Sequence, residues 1–170
     1  MKAAGVILAI VLALALQTTI ARFVVAGRVA VDLVLVVVVY VALSSGAVAG
    51  IATGTVAGLI QDSLSTTGVI GVGGLAKTIV GFLAGLIGTQ LNIAEPVARF
   101  VVFFAATVVH QAITIGLGAV LGVRAFGISY PAIAGEAVAN AVIGVVAFQL
   151  TDLLPGAVER RRMGRGRLRR

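Results

Sequence analysis

A chain of 170 residues that is 60% hydrophobic and only 11% charged, with a mean hydropathy of +1.17, has too little polar surface to be dissolved by water. Lipid must cover most of it. It contains no cysteine and a single His, which excludes disulfides, thiolate metal sites and imidazole clusters. The net charge of +7 does not point to nucleic acid, because seven of the thirteen basic residues lie between Arg160 and Arg170 with no aromatic side chains among them on which bases could stack.

Six apolar segments follow one another between Gly- or Pro-marked breaks, and each is read as a membrane-spanning helix: about Ala3 to Ala21, Val29 to Leu43, Ala47 to Ile60, Val69 to Thr89, Val97 to Gly122 and Ala132 to Leu154. The expected architecture is all-α, a six-helix transmembrane domain over 1–158 and a disordered Arg-rich cytoplasmic tail over 159–170. The second and third segments are short and separated only by Ser44, Ser45 and Gly46, so five helices, or a re-entrant pair, are the alternatives. The first segment imitates a secretory signal, with Lys2 before an apolar run that holds Ala13-Leu14-Ala15. Apolarity that continues to Ile20, with five more spans behind it, favours an uncleaved first helix.

Lys and Arg are retained on the cytoplasmic side, so the tail residues Arg160, Arg161, Arg162, Arg165, Arg167, Arg169 and Arg170 are expected inside, as topology determinants and ligands for anionic lipid. Six helices then put the N-terminus inside as well. Lys2 and Arg99 join the tail there, against Arg22, Arg28 and Arg124 outside, a balance of nine to three.

Small residues mark where helices can approach. Gly46, Gly50, Gly54 and Gly58 recur at every fourth position, which bares one face of the third helix, and Ala9 and Ala13 do the same on the first. Such a face either packs within the bundle or receives a partner's transmembrane helix, with the first and third helices the expected docking sites.

Gly71 to Thr78 lies one substitution from a phosphate-binding loop, Ala76 standing where the second Gly is required, and it also satisfies a loose dinucleotide fingerprint. Neither reading stands, because no strand precedes it and it lies within a membrane segment. Lys77, deep in the fourth helix, requires an anion or must snorkel. Asp62, Asp32 and Glu136 share its half of the membrane, and a pair between Asp62 and Lys77 that braces the outer loop is the expected arrangement. His110 and Gln111 in the fifth helix and Asn140 in the sixth are read as interhelical hydrogen-bonding groups or, with Lys77, as a polar pocket walled by Tyr40 and Phe104. No nucleophile and base arrangement, metal pattern or carboxylate pair suggests catalysis, and neither enzyme activity nor a cofactor is expected.

Gly54-x-x-x-Gly58-Leu59-x-Gln61-Asp62, followed by Gly68, Gly71, Leu75-x-Lys77 and Gly81-Phe82-x-x-Gly85, resembles the central signature of the MreD family. Asp32-Leu33 opening a run into Tyr40-x-Ala42-Leu43 is similar to that family's second helix, and the specific likeness covers about Val29 to Gly88. Prolines that the family often carries before the second helix and after the third are absent here, where Ala30-Val31 and Val69-Ile70 stand. The resemblance implies a non-enzymatic scaffold of the bacterial rod complex in the cytoplasmic membrane. Its partners would be MreC first, then the MreB filament, RodA and its penicillin-binding transpeptidase. It also implies a six-helix bundle resembling the substrate-binding subunit of energy-coupling-factor transporters, so the alternative function is vitamin-like small-molecule binding for transport.

Overall fold

The computed structural model describes residues 3–23, 31–65, 70–90, 95–122 and 129–167, with side chains within 4–19, 31–65, 70–90, 95–122 and 129–153. Six helices follow in order: α1 (Ala3–Phe23), α2 (Leu33–Ser45), α3 (Ala47–Leu64), α4 (Val72–Gln90), α5 (Pro96–Val120) and α6 (Tyr130–Arg167). Four stretches, Ala47–Leu64, Val72–Gln90, Pro96–Val120 and Tyr130–Leu153, are long and apolar enough to cross a membrane, while Ala4–Thr19 and Leu33–Ser45 are shorter apolar helices. The chain is an all-helical integral membrane protein.

α2 is the axis of the bundle and touches each of the other five helices. Its run of Leu and Val is apolar all round, the pattern of a helix enclosed by protein, and eight of its thirteen residues are buried. At 1.5 Å per residue it is about 20 Å long, shorter than the hydrocarbon core. A helix wrapped by its neighbours need not match that thickness. Asp32 caps its start, its carboxylate accepting the Leu35 N–H at 3.0 Å. Its end is the single residue Gly46, whose φ of +88° lies in the left-handed region that glycine enters freely. That one residue makes α2 and α3 separate helices, so the described residues form six helices, not five.

α3 and α4 run antiparallel with their backbones in contact. A Cβ added at Gly50 would strike the carbonyl of Gly81, one at Gly54 that of Lys77, and one at Gly58 the backbone of Gly74. The glycine face of α3, expected as a docking site for a partner, is therefore filled by α4, and Gly46 at its head lies against Thr89. Ala13 of α1 is likewise consumed, 7% exposed with Ile10 against α2, while Ala9 sits half-buried at the edge of that contact. Lipid tails are as apolar as the helices, so close backbone approach through small residues supplies the packing that the hydrophobic effect supplies in water.

α5 and α6 form a second antiparallel pair, in which the Phe103 ring lies directly over Gly144. Pro96 opens α5, where a missing N–H costs nothing. Hydroxyls inside the helices are satisfied locally: Thr55, Thr107, Thr114 and Thr151 each donate to the carbonyl four residues back. α6 continues to Arg167. Arg160, Arg161, Arg162, Arg165 and Arg167 lie within the bounds of this helix. The side chains of these residues, and Arg169 and Arg170 altogether, lie outside the described residues.

Gly54→Leu is therefore expected to disrupt the bundle rather than release a partner. Backbone cannot yield to the new side chain, and the cost should reach the upper end for overpacking, about 3 kcal/mol, read as a fall in the melting temperature of the detergent-solubilised protein. Gly116→Leu, at a position where an added Cβ meets nothing within 4 Å, should leave it unchanged.

Candidate functional site

The antiparallel register brings five polar residues from four helices to one level near the start of α2. Lys77 on α4 reaches Asp32, Nζ to Oδ2 2.7 Å, with both side chains almost wholly buried. The ammonium also lies 3.2 Å from Nε2 of His110 on α5. An ammonium has no acceptor, so Nε2 accepts and the imidazole proton sits on Nδ1. Nδ1 is buried with no partner among the described residues. The Asp32 backbone N–H, one of the orphan donors at a helix start, donates to Asn140 Oδ1 at 3.1 Å, and Asn140 Nδ2 donates to Thr107 Oγ1 at 3.2 Å. Beside them Gln111 Nε2 donates to Glu136 Oε2 at 2.6 Å.

The expected pair between Asp62 and Lys77 does not form. Gly54 is level with Lys77, and Asp62 lies eight residues farther along α3, about 12 Å at helical rise. Asp62 instead ends α3 beside the start of α4, where its Oδ2 accepts the N–H groups of Gly71 at 2.8 Å and Gly74 at 3.0 Å. This is an N-cap supplied by a neighbouring helix, a carboxylate at the positive end of the α4 dipole. The same carboxylate fills the space where a Cβ of Gly73 would stand. The glycine-rich turn that mimics a phosphate loop thus holds an anion that belongs to the protein itself.

Of His110, Gln111 and Asn140, read as interhelical glue or a pocket, His110 lies against Lys77, while the other two bond to neighbours. Both ends of the Asn140 amide are used, and Gln111 is tied to Glu136. Tyr40 does not wall this cluster. It lies eight residues along α2 at the opposite end, where its hydroxyl donates to Thr151 at 3.1 Å and its ring packs on Phe148 with centroids 4.4 Å apart. Arg99 completes that end, 4.5 Å above the Phe148 ring and 2.8 Å from Asp152. Sequence reasoning had Asp32 among the candidate partners of Lys77 but missed its cap. The signal was an Asp immediately before an apolar run. Among the described residues no three His, Cys, Asp or Glu side chains form a metal-ligand group.

Removing one member of a buried ion pair leaves the other charge uncompensated, so Asp32→Asn should cost about 3–5 kcal/mol. Adding Lys77→Met to it should recover part of that loss. Asp62→Ala should cost only about 0.5–2 kcal/mol, the range for a lost N-cap. Unfolding of the four proteins in mild detergent tests this order, which would be reversed if Asp62 were the partner of Lys77.

No curated protein and no solved structure matches the chain. A family model described as rod shape-determining protein MreD matches residues 2–154, from the start of α1 to the last described side chains of α6. The signature residues of that resemblance are the ones that interlock α3 with α4 and carry Asp32, Asp62 and Lys77, and the chain belongs to the MreD family.

Proposed function

We propose that this protein is a non-enzymatic membrane scaffold of the bacterial rod complex, needed for cell-shape determination and lateral peptidoglycan synthesis, and that it acts by binding the transmembrane helix of MreC. The observation that carries this is membership of a rod shape-determining family over residues 2–154. MreB, RodA and its penicillin-binding transpeptidase are then partners within the same assembly. In this reading all six helices cross the cytoplasmic membrane with both termini inside, supported by the excess of basic residues on that side, and the Arg residues from 160 onward hold anionic lipid.

With the glycine face of α3 filled by α4, the seat we assign to MreC is the outer face of α1. Among the described residues α1 packs only on α2 and α3, and Leu8 and Leu12, one turn apart, are each 59% exposed. Leu8→Phe with Leu12→Phe should lower the MreC recovered with the tagged protein at least tenfold without changing its melting temperature. Val101→Phe, on the exposed side of α5, should leave recovery intact. Undiminished MreC with the α1 variant would remove that seat. A paired-ATPase module and a vitamin-like compound in place of MreC would make this chain the binding subunit of an energy-coupling-factor transporter.

A further inference from the structure

The ionisable side chains enclosed around the start of α2 do not balance in charge. Asp32 of α2 and Lys77 of α4 cancel each other in their 2.7 Å pair. Glu136 of α6 is 6% exposed and stands one turn from Asn140, which holds the Asp32 N–H. Among the described residues it has no cation partner. Its hydrogen bond comes from the Gln111 amide of α5, a donor that brings no charge. The remaining charged groups of the neighbouring helices are spent elsewhere: Asp62 of α3 on the N–H groups at the start of α4, and Arg99 of α5 on Asp152 at the opposite end. The described side chains of α1 include no ionisable group.

A carboxylate enclosed in hydrocarbon without a cation is among the costliest states a side chain can occupy. One proton removes the imbalance, and two groups compete for it, the carboxyl of Glu136 and the ring of His110, itself only 7% exposed. The ring is the poorer site. Its Nε2 lies 3.2 Å from the Lys77 ammonium, so an imidazolium would set two cations side by side, and its Nδ1 has no carboxylate or other partner to stabilise the charge. On Glu136 the proton leaves a neutral acid, whose carbonyl oxygen still accepts from Gln111.

Exchange of that proton is open in one direction. Tyr130, six residues along α6 or about 9 Å at helical rise, is 76% exposed. The other way is closed by a continuous buried apolar cluster from α2, α4, α5 and α6 that includes Val39, Val80, Phe103 and Ala141. The polar level is therefore an end point for a proton and not a stage on a path through the bundle.

We propose that Glu136 is a proton-binding site, which at neutral pH holds the proton that balances the buried charges and exchanges it with the side of the membrane at which α6 begins. Infrared spectra of the full chain in maltoside micelles, which contribute no carbonyl band of their own, read the proton directly. In sodium chloride buffer at about pH 6, above the range in which exposed Asp and Glu titrate, the parent protein should show a carboxylic acid C=O band that disappears on alkaline titration. Glu136→Gln should abolish the band and leave the melting temperature at that pH unchanged, because an amide replaces a neutral acid of the same shape. Absence of the band from the parent would overturn the site, since Glu136 would then be a bare carboxylate or hold sodium. A band that survives Glu136→Gln would overturn it too, as would a Glu136→Gln protein that melts well below the parent, the mark of a group that acts as a carboxylate.

Discussion

A carboxylate and an ammonium that cannot reach water organise this bundle. Asp32 stands at the start of the most enclosed helix, where the orphan N–H groups of the first turn call for an acceptor. Once that carboxylate is buried, it needs a cation, and Lys77 supplies one at 2.7 Å. Lys77 then draws His110 of α5 to it, and the Asp32 N–H draws Asn140 of α6. One helix start thus decides how four helices meet. Such a pair is weak evidence for added stability, but a register that parted it would leave each charge alone in hydrocarbon.

The apolar contacts answer a different constraint. Between helices already in lipid there is no water to expel, so attraction depends on how closely backbones can come. Glycine at every fourth position of α3, met by Gly74, Gly81 and Gly85 of α4, allows that approach. The α5–α6 pair uses an aromatic ring over one glycine together with side-chain hydrogen bonds, so the two halves of the molecule are assembled by different means. Surfaces spent on internal packing are withdrawn from any partner. What α1 leaves facing outward is what remains on offer on that side of the bundle.

Much of this was legible in the residues. Helix count and order followed from apolar run length and Gly or Pro punctuation, and the Gly face of α3 was visible as a period of four. Less legible was what that face met, because the same small-residue stripe serves a neighbour in the bundle or a partner outside it. The Asp62 and Lys77 pairing failed for a related reason. Both residues lie in the same half of the membrane, but a pairing depends on the register of two antiparallel helices, and Gly54, not Asp62, is level with Lys77. The glycine-rich turn before α4 illustrates the same limit: its resemblance to an anion-binding loop is physically apt, and the anion is Asp62.

By itself the sequence determined the solvent, the number of helices, the burial cost of Lys77 and the family signature, since these depend on composition and on spacing along one strand of chain. Only the tertiary structure decided that Asp32 rather than Asp62 neutralises Lys77, that the glycine face of α3 belongs to α4, and that His110, Asn140 and Glu136 share one level while Tyr40 and Arg99 share another. The reason is geometric. Each of these contacts joins helices whose relative rotation and offset are chosen jointly by all their neighbours, and no local period encodes that choice.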